Sequence, residues 1–324
     1  MSTAQYLRKA TLLIGDDEEA IDLSSLRFRF TVNRGDVQTP NTADVRVYNL
    51  SQNTVQKIKK EFTRVLLQAG YDGTLGTIFD GTIKQIRKGR ETPTETYIDI
   101  TAADGDEAYN YSVAAISLAA GQTAPANAIE AIIRGMAIHG VNKGYVPENL
   151  PGSPAPRGEV FYGASRDIMR QLAASTDCAW SIQDGKVDVI PLTSYKPSSE
   201  IPLITAATGM VGMPEQTQSG IRVKVLLNPQ IKVGQLVKID NRSILQMRHS
   251  LNVGAEGQQL SDALGNKLND DGYYYVMVAD HSGDTRGQQW YTDLICLAVD
   301  ATMVPGVFGN NRVPVSENAI RRNP

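Results

Sequence analysis

Three histidines, His139, His249 and His281, are the side chains of the 324-residue sequence whose ordinary pKa lies nearest neutrality. His281 lies between carboxylates in Asp280-His281-Ser282-Gly283-Asp284, a run that could be drawn as a metal or catalytic cluster. A zinc site needs further His or Cys ligands at short spacing, and none stands nearby, so the segment reads as a turn joining two strand-like runs. Asn269-Asp270-Asp271-Gly272 and Asp104-Gly105-Asp106 lack the remaining oxygen ligands of a calcium loop and also read as turns. No Gly-x-Ser-x-Gly elbow, phosphate-binding loop or dinucleotide fingerprint is present. Carboxylates suited to sugar hydrolysis are plentiful, but nothing in the sequence pairs two of them. Trp180 and Trp290 could stack on a carbohydrate, yet their apolar neighbours point to core positions. The residue types therefore predict no enzyme, no cofactor and no metal.

Charge adds little. The formal net charge is −3, and charged residues make up 21% of the chain, so no basic field argues for strong nucleic-acid binding. Lys57, Lys59, Lys60 and Arg64, with Arg87, Lys88 and Arg90, cluster in the first third. They are balanced by as many acids there and read as solvated faces. The two cysteines, Cys178 and Cys296, stand in apolar contexts, as buried free thiols of a reducing compartment would. No secretion signal or run of eighteen apolar residues is visible, so the expectation is a protein made in the cytoplasm with no membrane-spanning segment.

The elements that would position any site follow from periodicity. Ala10–Ile14 and Leu26–Val32 flank an acidic turn and predict a hairpin. Ala43, Val45 and Val47 alternate with Asp44, Arg46 and Tyr48, a half-buried strand entered through the Pro40-Asn41 turn. Ser51 predicts the N-cap of a short helix carrying Val55, Ile58 and Phe62. Val65–Tyr71 and Ile78–Ile83 predict strands joined at Asp72-Gly73. A loop is expected after Ile86, and Thr96–Ala102 alternates again. From Asp104 the texture changes. Ile129, Ile132, Ile133 and Met136 have helical spacing ending at Gly140, and Ser165 predicts a second N-cap. Ala179–Ile182 and Lys186–Ile190 form a hairpin about Asp184-Gly185. After about residue 205 the pattern returns to strands at Ile221–Leu227, Gln235–Ile239, Tyr273–Ala279 and Tyr291–Val299. Residues 245–271 are too polar to assign, and the Gly/Asn/Pro-rich run from Pro305 predicts a flexible tail. The organisation is β, then α+β, then β.

Several separated stretches, taken in order, resemble one family. They are Thr39-Pro40-Asn41-Thr42-Ala43-Asp44 through Tyr48-Asn49-Leu50, and Leu67–Tyr71 leading to Ile78-Phe79-Asp80-Gly81-Thr82-Ile83. Then come Ile100–Asp106 with Asp104, Gly212-Met213-Pro214-Glu215 with Leu226-Leu227-Asn228-Pro229, and His281–Gly287 with Asp284 before Trp290. Together they look like the baseplate hub proteins of long-tailed bacteriophages, a family similar to the tail tube protein.

That resemblance implies a mainly β chain with an α+β insert. Two tail-tube-like β-barrel domains, residues 1–105 and 205–304, would flank a smaller α+β domain at 106–204, with residues 305–324 as tail. It implies a structural virion protein of the tail baseplate, assembled in the bacterial host cytoplasm. Its homotrimer would adapt a six-fold tail tube to a three-fold central spike and touch other baseplate proteins. Genomic DNA would pass through without specific binding. Some members carry a fused lysozyme or peptidase, for which this sequence shows no room. Symmetry supplies a reason, since a closed three-fold ring with two equivalent modules per chain matches a six-fold partner without unpaired edges. Subunit contacts are then expected at sheet edges, and a proline at Val47 is expected to block assembly. The alternatives are a β-rich tail-associated protein binding a surface glycan through Trp290, and a cell-wall hydrolase.

Overall fold

The computed structural model describes residues 5–16, 19–148, 150–152, 154–217, 220–239 and 272–299. The expectations for residues 245–271 and for the tail lie outside these residues.

The first third holds β1 (Arg8–Gly15), β2 (Ala20–Asp22), β3 (Phe28–Asn33), β4 (Thr42–Tyr48), α1 (Gln52–Lys60), β5 (Arg64–Tyr71), β6 (Gly76–Arg90) and β7 (Thr96–Ala103). In β3, Phe28, Phe30 and Val32 are buried while Arg29, Thr31 and Asn33 face water, the alternation of a half-buried sheet. Ser51 Oγ accepts from the Thr54 N–H at 3.1 Å, so the expected cap starts α1, which buries Val55 and Ile58. These side chains pack with Leu12, Val45, Leu67, Phe79 and Ile100 into one core.

Two local expectations fail here. The hairpin over residues 10–32 does not form as one unit. β1 pairs with β5 along its whole length and with β2 over three residues only. Ser24 Oγ then takes the Leu12 N–H at 3.0 Å, and β3 leaves for β4. Nor does a loop follow Ile86. β7 offers ladder partners from Thr82↔Ala103 to Arg90↔Thr96, so β6 runs on to Arg90.

The middle third holds α2 (Asp106–Tyr111), β8 (Val113–Leu118), α3 (Pro125–Met136), a 3-10 turn (Ala137–His139), β9 (Asn142–Lys143), β10 (Glu159–Ala164), α4 (Ser165–Ser175), β11 (Cys178–Gln183) and β12 (Lys186–Pro191). Its core gathers Ile129, Ile132, Ile133 and Met136 with Met169 and Trp180. Ser165 is the first helical residue rather than the cap. Its hydroxyl is taken by Ser112 Oγ at 2.8 Å, so Ala164 occupies the N-cap position without a side-chain bond. Asp184 and Gly185 turn β11 into β12 at φ 53° and 70°, the left-handed pair that a tight hairpin requires.

The last third holds β13 (Leu203–Ile204), a 3-10 turn (Ala206–Thr208), β14 (Glu215–Thr217), β15 (Gly220–Leu226), β16 (Leu236–Ile239), β17 (Tyr273–Asp284) and β18 (Trp290–Ala298). Its core contains Val223, Val225, Val237, Tyr274, Val276, Leu294 and Cys296. The Asp280–Asp284 run, expected as a turn, is the last stretch of β17. β3 on one side and β18 on the other supply its ladder partners, and the turn comes only after Asp284.

The first and last thirds repeat one plan. The order β3-β4-β7-β6-β5 is matched by β14-β15-β18-β17-β16. The match extends to register. Val45 stands opposite Ile100 as Val223 stands opposite Leu294, and Arg46 opposite Asp99 as Lys224 opposite Asp293. Each long hairpin carries one extra residue at the same step, Lys84 in β6 and Met277 in β17. The repeats differ at their outer neighbours, since β1 joins β5 antiparallel whereas β13 joins β16 parallel. They are joined in one sheet where His281–Asp284 of β17 lies beside Val32–Arg29 of β3.

Val47 is fully buried in β4 and paired on both sides, so proline there removes a ladder donor from a barrel centre rather than from an assembly edge. Val47→Pro is expected to cost about 1–3 kcal/mol for the buried ladder partner left unpaired and to destabilise the first barrel. A thermal melt indistinguishable from the parent would contradict this placement.

Candidate functional site

The chain runs from β3 to β4 through residues 34–41, and this loop is where all three parts meet. Arg34 is 5% exposed. Its guanidinium donates to Ile78 O of the first barrel at 3.0 Å and to Gln183 Oε1 of the middle part at 3.2 Å, and it pairs with Asp184 Oδ1 at 3.0 Å. Its backbone N–H donates to Asp280 Oδ1 of the last barrel at 3.0 Å. Asn41 locks the loop. Its Oδ1 accepts from the Gly35 N–H at 3.1 Å, and its Nδ2 donates to Ile182 O at 3.0 Å and Gln183 Oε1 at 2.9 Å. Gln183 returns a bond from Nε2 to Gly35 O at 2.9 Å. From the last barrel, Tyr275 donates its hydroxyl to Asp36, and Lys232 pairs with Asp184 Oδ2 at 3.0 Å. Asp104 closes the joint by accepting from the Gly185 N–H at 2.8 Å. Gly105 beside it sits at φ 67°, and a Cβ there would lie 2.7 Å from Ile182, so the approach of hairpin to barrel needs glycine.

Burial sets the protonation states. It pushes the Asp104 carboxyl up to about 6, with Asp184 adding repulsion, against the Gly185 N–H and the Arg34 charge. Burial also works on Asp184, but Arg34 and Lys232 overcome it and hold that carboxyl below the usual range. His281 is pushed down to about 3 by burial and the nearby Arg34, and its Nδ1 lies 2.9 Å from Thr292 Oγ1. It is therefore a neutral core histidine rather than a ligand or base. No group of three or more His, Cys, Asp or Glu that could hold a metal occurs among the described residues.

The comparisons with known proteins bear on this architecture. No family model matches the sequence, and neither does any curated protein. Solved structures do match. The tail protein from Neisseria meningitidis MC58 aligns with TM-score 0.54 at 10% identity, over 95% of this chain and 100% of that one. The prophage MuSo2 43 kDa tail protein from Shewanella oneidensis aligns with TM-score 0.52 at 9% identity, over 90% and 99%. The E. coli c3393 protein aligns with TM-score 0.51 at 10% identity, over 92% and 80%. It is described as a type VI secretion component with structural similarity to the T4 bacteriophage tail proteins gp27 and gp5. The chain has the fold of these tail proteins. At such identities the likeness is one of fold, and the side chains of the joint belong to this sequence.

Of the residues the sequence singled out, Pro40, Asn41 and Asp104 come together at the joint. His281, Asp284 and Trp290 lie along the seam of β3, β17 and β18. There Asp284 accepts from Arg29 Nε at 2.8 Å and Arg27 at 3.1 Å. Burial would raise its carboxyl, yet these arginines and the Arg286 N–H hold it far below the usual range. Trp290 is 1% exposed, edge-on to Phe30 at 5.4 Å, so it is not available to stack on a glycan. The others are scattered. Asp44 accepts from Thr101 on the wet face, and Tyr48 lies beneath Arg27 and Arg29. Asn49 makes a left-handed turn at φ 55°, and Asp80 holds Arg64. Gly81 packs against the Ala103 carbonyl, Pro229 against Gly76 with Asn228 beside it, and Pro214 precedes β14. Sequence reasoning missed Arg34, Asp36, Gln183, Asp184 and Lys232 as joint residues. The left-handed Asp184-Gly185 turn was the one visible signal, and it was read only as a hairpin.

Because folding raises the Asp104 pKa above its unfolded value, its contribution is fully present below about pH 4 and is lost as pH rises through about 6. Asp104→Asn, which keeps an acceptor for Gly185, is expected to raise the melting temperature at pH 7.5 and to lose that advantage at pH 4. An equal effect at both values would contradict the assignment.

Proposed function

We propose that the chain is a structural protein of a phage tail, a baseplate hub whose three copies form a ring between a six-fold tail tube and a three-fold central spike. The observation that carries this reading is the repeated barrel. Two modules of equal strand order, register and bulge, fixed to each other by the β3–β17 seam, give each chain two quasi-equivalent positions. Three such chains present six similar barrels, the arrangement a six-fold partner can meet. The tail-protein fold of the solved relatives supports the same class.

In this reading, residues 1–105 and 205–304 are the barrels, 106–204 is an α+β decoration toward the spike and other baseplate proteins, and residues 305–324 are the tail. The virion tail is its site of action and the host cytoplasm its site of assembly. The charge pattern suits passage of genomic DNA without grip. On the wet face of β3, β4 and β7, Arg46 is forked onto Asp99 at 2.6 and 3.0 Å, and Arg29 is held by Asp284, so these cations are already engaged.

Native mass with negative-stain images of the purified protein tests this directly. The expected result is a three-copy ring with a central hole and six lobes. A particle that stays monomeric after candidate tube and spike proteins are added overturns the proposal.

A further inference from the structure

The seam between the two barrels of one chain specifies a second seam between chains. This step rests on the ring reading above. Within the chain, His281, Ser282, Gly283 and Asp284 stand opposite Val32, Thr31, Phe30 and Arg29. The ladder registers align the two barrels residue by residue. Lys88, Gly89, Arg90 and Glu91 are the counterparts of His281 to Asp284, fixed by the shared bulge at Lys84 and Met277. Met213, Pro214 and Glu215 are the counterparts of Arg29, Phe30 and Thr31, fixed by Glu215↔Arg222 against Thr31↔Asp44. The first barrel thus owns a copy of the β17 half of the seam, and the last barrel owns a copy of the β3 half.

Both halves lie at sheet edges. Among the described residues, β5 pairs with β6 only as far as Thr82, and beyond Ile83 the strand neighbour of β6 is β7 alone. Among the described residues β14 likewise has β15 as its one strand neighbour. Lys88, Arg90, Met213 and Glu215 are exposed, whereas Pro214 is buried as Phe30 is. The two edges stand seven strand steps apart in the sheet order, and among the described residues they are not paired with each other.

We propose that the Lys88–Glu91 edge of one copy pairs antiparallel with the Met213–Glu215 edge of a second copy, repeating the β3–β17 seam between chains. Gly89 then stands opposite Glu215, Arg90 opposite Pro214 and Glu91 opposite Met213. Charge agrees with this partner. The β6 end carries Lys84, Arg87, Lys88 and Arg90, and Arg87 falls diagonally across from Glu215. Pro214 has no N–H to give, so the seam forms with one ladder bond fewer than its intrachain model. A proline at such an edge also guards it against indiscriminate pairing. The two surfaces differ, so the contact is head-to-tail, and repetition of one junction closes a ring or runs on without end.

The test is a disulfide between copies. Glu91 and Met213 correspond to Asp284 and Arg29, a directly opposed pair at the end of the seam. In such a position Cα atoms approach within disulfide reach, ~4.5–5.5 Å. Oxidation of the Glu91→Cys/Met213→Cys double variant should give covalent dimers and trimers ending at three copies, while each single variant gives none, since Cys178 and Cys296 are buried. Arg90→Pro, at an exposed edge position, should keep the parent melt and lose assembly. A trimer whose double variant fails to cross-link overturns the edge contact and leaves the ring reading intact. An unlimited covalent ladder supports the contact and overturns the closed three-copy ring. A monomer with no cross-link at any concentration overturns both.

Discussion

A buried guanidinium tolerates no missing acceptor, and Arg34 imposes that demand on the whole molecule. Its acceptors come from Ile78 in the first barrel and from Gln183 and Asp184 in the middle part, while its own backbone N–H is taken by Asp280 in the last. Leaving one such group buried and unpaired costs about 1–3 kcal/mol, more when it is charged. The low-energy arrangement therefore has all three parts docked at once. Asn41, Asp104 and Tyr275 then fix the loop that carries Arg34, so the polar joint specifies geometry rather than mere adhesion. Beside it, Ile190, Leu236, Tyr275 and Met277 form a small apolar cluster that seals the middle part against the last barrel.

The joint works together with the β3–β17 seam. Strand pairing sets the spacing of the two barrels and the loop sets their rotation, so the two stand at a fixed offset. Among the described residues, left-handed backbone outside glycine occurs at Leu7, Asn49, Asp177 and Asp184. Within each barrel the sheet carries the load, and the α+β part takes its place through the hairpin at Asp184-Gly185, which reaches into the joint.

Local pattern made much of this legible. The alternation in β3 and β4, the helical period of Ile129 to Met136, the Ser51 cap and the two Asp-Gly turns each express a short-range rule, and each forms as read. Partner choice was not legible. The sequence of β1 fits either the next strand or β5, and only the whole barrel decides. Asp280–Asp284 looked like a turn because its residues are polar. Its two flanking strands are β3 and β18, and β3 is about 250 residues away, so no local rule announces the pairing. Ser165 was a reasonable cap until Ser112 took its hydroxyl. Asn41 and Asp104 stood out in the sequence only as turn and signature residues, with no sign of the joint they occupy, and Arg34 gave none either, since its role lies wholly in acceptors from distant segments.

If Arg34 and the β3–β17 seam bind the three parts into one body, their backbone amides must open together with the barrels. Hydrogen exchange on the purified chain measures this most directly. Protection at residues 34–36, 182–185 and 281–284 should equal that of β4 and β18 and fall in one cooperative step as denaturant is added. Fast exchange at these segments while both barrel cores stay protected would show barrels that move independently, and would contradict the account.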